Sequence, residues 1–234
     1  EYESTKNHFE LVEEDYRYIK MTSPLLKFSF DKVLGQPISL DVEGKELLAK
    51  PGDWTVWRAP TDNDRNVRAA WERSEFPYVK GRVNAVEYTA NQEQIVIKVQ
   101  ELLAAPVVQP LGRMETLWTI QASGAIHVKT HVDFDERFAE IPRFGLRLFL
   151  NTQFDDVDYF AYGPYESYID KRRASHLGLF HVKAEDLYED YIFPQEHGSR
   201  YDAREILLNN EDFTLYAQMP KGSQFNLSNY SQEQ

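Results

Sequence analysis

The chain has 234 residues, of which 42% are apolar, and it carries a formal net charge of −12 at pH 7. This length and apolar content suffice for one large domain with a packed core. The negative charge repels phosphate backbones and anionic membrane surfaces, so neither nucleic acid nor a membrane is expected as a partner, whereas a neutral sugar is permitted. The absence of cysteine excludes disulfides and thiolate metal sites and fits a reducing cytoplasm.

The N-terminal residues 1–5 contain neither an initiating Met nor a signal-peptide pattern. No apolar run approaches the ~20 residues that a membrane-spanning helix needs. We therefore expect a cytoplasmic chain that is a piece of something longer or the product of processing.

Apolar and polar residues alternate with a period of two along most of the chain, which predicts short β-strands. In the N-terminal part the predicted strands are residues 9–12, 16–21, 26–30, 38–42 and 46–48. The first two are expected to form a hairpin around residues 13–15, and the last two a hairpin around residues 43–45.

The same alternation continues towards the C-terminus, where the predicted strands are residues 95–99, 114–121, 125–134, 144–150 and 213–219. Helix is scarce, with one short helix expected within 66–78 and one turn within 184–188. Many short strands separated by turn residues are typical of an all-β sandwich and not of a β/α fold. Because no Gly/Ser-rich linker and no fixed repeat divides the sequence, we predict a single domain over residues 1–234.

Four segments interrupt the alternation, and the first is residues 57–65. Asp62, Asn63 and Asp64 offer acceptors that could satisfy the local backbone, bind a cation or bind sugar hydroxyls. The Asp-x-Asp spacing is similar to a calcium loop but lacks the Gly and the distal Glu of that motif. We favour a structural turn.

The second segment, residues 141–146, predicts a strand start at which Arg143 pairs with a buried acid.

The third segment, residues 159–172, contains four tyrosines around a Gly-Pro turn. Tyrosines offer sugars an apolar face and a hydroxyl, so Tyr162 and Tyr168 could bind carbohydrate. The alternative, given equal weight, is a loop in which Glu166 and Asp170 pair with Arg172 or Arg173.

The fourth segment, residues 193–200, places Glu196 beside His197, a pair suited to acid–base chemistry but more often structural. Glu166 and Glu196 are the only two glutamates that suggest a glycosidase pair, which needs carboxyls ~5–10 Å apart. His127 and His131 lie on the outward face of a predicted strand, ~13 Å apart, too far to share one metal ion. We predict no metal site.

Taken in order, these segments resemble the C-terminal, small-chain β-sandwich (domain 5) of LacZ-type β-galactosidases, glycoside hydrolase family 2. The matching segments are residues 57–64, 142–145, 162–170, 194–198 and 225–231. The resemblance implies a galactose-mutarotase-like supersandwich of two large, mostly antiparallel sheets with little helix, in agreement with the strand pattern.

The resemblance also implies a part in a retaining β-galactosidase that hydrolyses terminal β-D-galactosides such as lactose. The catalytic glutamates of that family lie in a (β/α)₈ barrel of ~250 residues, for which this chain has no room. We therefore assign no catalytic residue here and expect the chain alone to be inactive. Family-motif candidates for carbohydrate binding are Arg58, Asp62, Asn63, Asp64, Arg143, Tyr162, Glu166, Tyr168, Asp170 and Glu196.

No cofactor is expected in this chain, because the family's Mg²⁺ and monovalent cation are implied to bind other domains. The implied partners are the remainder of the β-galactosidase or its barrel-bearing large subunit, galactoside through the complete enzyme, and further copies in a homo-oligomer. The family domain continues past the segment at 225–231 and supplies an aromatic residue to the active site. Since this chain ends at Gln234, we expect it to be truncated relative to the family.

Two other functions stay open on the residues alone. A stand-alone carbohydrate-binding sandwich is suggested by the tyrosines of the third segment and by the polar strand face with His127 and His131. A mutarotase-like enzyme on the same fold would need an acid and a base on one concave sheet.

Overall fold

The computed structural model describes residues 8–151, 154–193, 195–211 and 214–230. Its residue contacts divide the chain into two compact units. The first unit comprises Glu1–Trp57 and Asn66–Thr152, and the second comprises Arg58–Arg65 and Gln153–Gln234. The expectation of one domain over 1–234 stays a prediction.

The first unit begins with a five-stranded antiparallel sheet whose strands pair in chain order. The strands are β1 (Leu11–Glu14), β2 (Tyr18–Thr22), β3 (Leu26–Asp31), β4 (Gln36–Val42) and β5 (Lys45–Glu46). Both predicted hairpins are confirmed, although the first turn lies after residue 14 instead of at 13–15.

The chemistry of each hairpin turn explains its position. The Asp15 carboxylate accepts hydrogen bonds from the backbone N–H groups of Arg17 (2.7 Å) and Tyr18 (2.6 Å), which fixes the first turn. The second turn has positive φ at both central residues, 52° at Glu43 and 86° at Gly44, as a two-residue type I′ hairpin requires.

Next in chain order come β6 (Leu48–Thr55), the six-residue helix α1 (Arg68–Arg73) and a four-stranded antiparallel sheet. Its strands are β7 (Lys80–Ala90), β8 (Gln94–Ala104), β9 (Gly112–Gln121) and β10 (Ile126–Phe134). The last strand of the first unit, β11 (Gly145–Leu150), pairs with β6. Short 3₁₀ turns occupy Asp62–Asn66 and Phe76–Tyr78. The helix α1 lies within the region 66–78 in which a short helix was expected, and Trp71 is buried whereas Val67 is exposed.

Two sheets pack face to face to form the main core of the first unit. Leu26, Phe28 and Phe30 of β3 are buried in the same cluster as Ile95 and Ile97 of β8, as their alternation predicts. Full burial of one such side chain stabilises the fold by roughly 1.5–3 kcal/mol. This packing makes the first unit a β-sandwich.

The second unit is built on another four-stranded antiparallel sheet. Its elements are β12 (Asp156–Gly163), β13 (His176–Lys183), a 3₁₀ turn (Ala184–Leu187), β14 (Arg200–Tyr201), β15 (Glu205–Asn209), β16 (Thr214–Gln218) and β17 (Gln224–Phe225). The large sheet has the order β13-β12-β15-β16, and β14 pairs with β17. The predicted strand at 213–219 is β16, with Phe213 outside the described residues.

The third segment of the sequence, treated as a loop from residue 159, is in fact the end of β12 up to Gly163. Val157, Tyr159 and Ala161 are buried on one face of this strand, while large aromatic residues also occupy the other face. Apolar residues on both faces conceal the period of two, which is why the prediction was wrong here.

The all-β, mostly antiparallel fold is confirmed, with the described strands divided among three larger sheets and two two-stranded ones. No helix within the described residues is long and apolar enough to span a membrane.

A carboxyl group interrupts the core of the first unit. Glu101 lies on the buried face of β8, only 2% exposed, in line with Ile97 and Val99. Its carboxyl lies against Gly81, where a Cβ would overlap it, and no described residue hydrogen-bonds its Oε2. Burial raises the pKa of Glu101 from 4.5 to about 7, because the charged form loses its hydration.

The variant Glu101→Gln keeps the size of this side chain and removes its titration. Because the folded-state pKa is raised, the stabilising contribution of protonated Glu101 is complete below pH 4.5 and is lost as the pH rises through about 7. We expect the two proteins to be similarly stable near pH 4.5. At about pH 8 the variant should be more stable by roughly 3 kcal/mol. Urea unfolding of both proteins across this range measures the difference, and a pH-independent difference would contradict the assignment.

Candidate functional site

The candidate residues divide between the two units, because Arg143 belongs to the first and all the others to the second. Arg143 is half-buried just before β11. A bidentate ion pair on β11 itself is made by Arg147, which donates to Asp53 of β6 at 2.7 and 2.8 Å. The sequence analysis did not find this pair, because β6 and β11 are almost 100 residues apart. A buried acid as the partner of Arg143 stays a prediction.

In the second unit, Asp64 closes the turn that the sequence analysis favoured at residues 57–65. Its carboxylate accepts two hydrogen bonds from the Arg58 guanidinium, at 2.6 and 2.9 Å, and two from Thr61, from the backbone N–H at 2.7 Å and the hydroxyl at 3.0 Å. Burial raises the pKa of Asp64, but the hydrogen bonds from Arg58 and Thr61 outweigh burial and hold it below its usual value. All four contacts are internal to the turn, as in a structural motif.

The neighbours Asp62 and Asn63 differ from Asp64, since both are exposed. Within the part of the chain that the structure describes, no group of three or more His, Asp or Glu side chains is placed to hold a metal ion. The His127 and His131 side chains are exposed along β10, as expected for a polar face.

Three of the family segments converge in the second unit through two serines. The Ser167 N–H donates to the carbonyl of Ser199 at 2.8 Å, and the Ser167 hydroxyl donates to the carbonyl of Tyr162 at 2.8 Å. Ser199 in turn donates its hydroxyl to the carbonyl of Phe225 at 3.3 Å. Because Ser199 directly follows the segment at 194–198, these hydrogen bonds join that segment to those at 162–170 and 225–231, over their described residues, in one loop cluster.

Glu166 is the central side chain of this cluster and is 7% exposed. Its Oε1 accepts hydrogen bonds from the Lys171 ammonium and the Tyr191 hydroxyl, and its Oε2 accepts one from the Gly198 N–H at 2.9 Å. Lys171 also donates to the Tyr191 hydroxyl at 2.7 Å. The loop alternative named Arg172 or Arg173 as the partner of Glu166, and this pairing is wrong because Lys171 forms the ion pair instead.

The surroundings of Glu166 favour its ionised form. Burial raises its pKa, but the hydrogen bonds from Lys171, Tyr191 and Gly198 outweigh burial, so the pKa lies below its usual 4.5. Burial and the hydrogen bond to Glu166 both raise the pKa of Tyr191, which keeps that phenol protonated. A glycosidase acid needs a raised carboxyl pKa, so this environment does not suit Glu166 to that role.

Gly198 is required at its position for two reasons. Its φ is 74°, a conformation that side chains disfavour, and a Cβ would lie 2.7 Å from the carbonyl oxygen of Leu187. In this backbone conformation the Gly198 N–H donates a hydrogen bond to Glu166. A glycine of the fourth segment therefore stabilises a carboxylate of the third.

The tyrosines of the third segment do not form one aromatic surface. Tyr159 is buried in the core under Phe180, with ring centroids 5.4 Å apart. Tyr162 packs against Tyr201, and the exposed Arg172 guanidinium lies 4.9 Å from the Tyr201 ring centroid. Tyr165 is exposed, and the hydroxyl of the half-buried Tyr168 accepts a hydrogen bond from the Ser199 N–H at 3.4 Å.

Glu196 and His197 lie in the same cluster with different surroundings. Glu196 is buried. His197 packs edge-on against Tyr188, with ring centroids 4.7 Å apart, and its Nδ1 accepts a hydrogen bond from the Glu189 N–H at 3.4 Å. These contacts fit the structural role that the sequence analysis favoured for His197. Asp170 is exposed on the tight turn between Tyr168 and Lys171.

Lys171, Tyr191, Ser167 and Ser199 were not singled out in the sequence. Lys171 lies five residues after Glu166 in a charged run, a signal that could have indicated it. Tyr191 is 25 residues from Glu166, and no local pattern brings the two together.

Comparison with known proteins finds a matching family model and several similar proteins. Residues 22–234 match the family model described as the beta galactosidase small chain. A beta-galactosidase of Actinobacillus pleuropneumoniae is 34% identical over 98% of this chain and 22% of its own length. Similar proteins of Staphylococcus xylosus (30% identical, 76% of this chain) and Lactobacillus delbrueckii subsp. bulgaricus (29%, 94% of this chain) carry the same name. The chain spans about a fifth of the length of these relatives.

The turn at Asp64 provides a matched pair of variants. Asp64→Ala leaves the Arg58 guanidinium and the Thr61 N–H without their acceptor, so we expect a loss of roughly 2–3 kcal/mol in the free energy of unfolding. The exposed neighbour should behave differently, and Asp62→Ala should change stability by less than about 0.5 kcal/mol. Urea unfolding of the two variants measures these changes in the free energy of unfolding. Equal losses in the two variants would mean that the contacts of Asp64 contribute little to stability.

Glu166 gives a second matched pair, with the exposed Asp170 four residues away. Glu166→Ala removes the acceptor of the Gly198 N–H and of Tyr191, and we expect it to cost roughly 2–4 kcal/mol in the free energy of unfolding. Asp170→Ala should be nearly neutral. Because the folded-state pKa of Glu166 is lowered, its contribution is present above pH 4.5 and lost as the pH falls. The difference in the free energy of unfolding between wild type and Glu166→Ala should therefore become smaller as the pH is lowered. A difference that does not change with pH would contradict this prediction.

Proposed function

This chain belongs to the beta-galactosidase small chain family, and we propose that it is the part of a β-galactosidase that completes the active site without providing the catalytic carboxylates. The observation that carries this proposal is the family match over residues 22–234, a stretch that corresponds to only about a fifth of each relative. The complete enzyme is proposed to be a retaining hydrolase of glycoside hydrolase family 2 that cleaves terminal β-D-galactosides such as lactose.

The surroundings of Glu166 support the non-catalytic assignment. A nucleophile or general acid needs at least one oxygen available to the substrate or its leaving group. Both oxygens of Glu166 accept hydrogen bonds from the protein, one of them a charged hydrogen bond from Lys171. Glu166 is therefore assigned to holding the loop cluster together.

Further parts of the proposal concern the complete enzyme. We assign it to the cytoplasm, because 234 residues without cysteine fit a reducing compartment. Its Mg²⁺ and monovalent cation are assigned to other domains, and its assembly to a homo-oligomer. In this proposal the family-motif residues of the second unit contribute to sugar binding only indirectly, by shaping the loop cluster.

The alternative functions lack a comparable observation. A stand-alone sugar site cannot use all four tyrosines, because Tyr159 is buried in the core. A mutarotase-like reaction needs an acid and a base, and the environment of Glu166 suits it to neither. Calorimetry of the chain with millimolar galactose tests the first alternative, and polarimetry of freshly dissolved galactose tests the second.

The direct test is hydrolysis of a chromogenic β-galactoside. We expect no turnover by this chain alone, little by the barrel-bearing remainder of the enzyme alone, and activity when the two are mixed. A heat-unfolded sample of this chain is the control for non-specific protection of the remainder. Turnover by the chain alone would overturn the proposal, and Glu166→Gln and Glu196→Gln would then locate the chemistry.

A further inference from the structure

The loop cluster of the second unit exposes an unusual number of large apolar side chains. Ile192 is 93% exposed and Phe193 is 78% exposed, the highest values in this cluster. The side chains that we call the loop face are Tyr165, Ile169, Tyr188, Ile192, Phe193 and Tyr230. Monomeric proteins rarely leave apolar groups together in this way, and such patches mark interaction sites.

Contacts between the loops hold these residues near one another. Tyr191, next to Ile192, is hydrogen-bonded to Glu166, which is the neighbour of Tyr165. Ile169 lies within the turn closed by the reciprocal backbone hydrogen bonds of Tyr168 and Lys171. Tyr188 packs against Tyr230 with ring centroids 5.6 Å apart. The residues of the loop face therefore lie on cross-linked loops.

Positive charge borders the loop face, although the whole chain carries −12. A pocket of about 210 Å³ is lined by three cationic side chains, two carboxylates and two tyrosines, so cations outnumber carboxylates there: Lys171, Arg172, Arg173, Glu166, Glu189, Tyr165 and Tyr191. Tyr and Arg are enriched in protein–protein interfaces. The matching surface of a partner would combine apolar groups with acidic ones.

We propose that the loop face is the surface on which the remainder of the β-galactosidase polypeptide docks, through an apolar patch bordered by acidic side chains. This inference rests on the proposed function. About four-fifths of the length of the Actinobacillus relative lies outside the region that this chain matches, so a large covering partner exists in that family. A second copy of this chain fits less well, because a symmetric contact would bring Lys171, Arg172 and Arg173 close to their own equivalents.

The test uses the double variant Ile192→Ser/Phe193→Ser, because both side chains are exposed and their replacement removes no core contact. The matched control is Leu179→Ser/Tyr216→Ser, which changes two exposed apolar residues on β13 and β16 of the same unit. Association of each chain with the barrel-bearing remainder is measured by calorimetry, and recovery of chromogenic hydrolysis is measured in parallel. Thermal unfolding confirms that all variants are folded.

We expect the loop-face variant to raise the Kd for the remainder about 10–100-fold, while the control shifts it less than about threefold. A charge-reversal variant, Arg173→Glu, should also weaken association and lessen its dependence on salt. Hydrolysis at saturating concentrations of the loop-face variant should match wild type, because the change affects docking and not the chemistry.

The outcomes separate this inference from the proposed function. If hydrolysis is recovered and the loop-face and control variants bind equally well, docking at this face is wrong and the proposed function stands. If association occurs and is weakened by the variant but no hydrolysis appears, docking stands and the proposed function fails. Failure of wild type to associate, or a concentration-dependent dimer of this chain that the loop-face variant abolishes, would overturn the inference.

Discussion

The arrangement of the second unit depends on one buried carboxylate. Glu166 accepts hydrogen bonds from a lysine five residues away, a tyrosine 25 residues away and a glycine N–H 32 residues away. A buried carboxylate is stable only when such partners replace its lost hydration, so the loops cannot separate without exposing an unpaired charge. The identity of residue 198 follows from this constraint, since the positive φ that brings its N–H to Glu166 favours glycine and a Cβ there would overlap the Leu187 carbonyl oxygen.

The first unit contains the opposite case. Glu101 is as deeply buried as Glu166, yet burial alone acts on its carboxyl and raises the pKa, whereas the partners of Glu166 lower its pKa. Ionisation of Glu101 destabilises the first unit, whereas the ionised form of Glu166 stabilises the loop cluster. Two glutamates with similar exposure therefore have opposite effects, decided by the donors within reach of each carboxyl.

The sequence predicted most of the first unit because its strands obey simple alternation. Leu26, Phe28 and Phe30 face the core, and Ile95 and Ile97 face it from the other sheet, as a half-buried strand requires. The same rule failed for β12, where aromatic residues occupy both faces, and for Glu101, which alternation places inward against its charge. For the candidate site, local spacing predicted a turn at residues 57–65, but it did not predict the Arg58–Asp64 ion pair within that turn. It could not find Tyr191 beside Glu166 or Asp53 beside Arg147, because chain folding alone brings those side chains together.

The contacts that engage both carboxylate oxygens of Glu166 also order the loops around it. A docking surface binds tightly when its loops are ordered before the partner arrives, since less conformational entropy is then lost on association. The carboxylate, ammonium and phenol of Glu166, Lys171 and Tyr191 fix the loops next to Ile192 and Phe193, so those exposed side chains stand on an ordered base. In the function that we propose, family motifs rich in Tyr, Glu, Gly and Pro therefore serve assembly, and the catalytic carboxylates lie elsewhere in the enzyme.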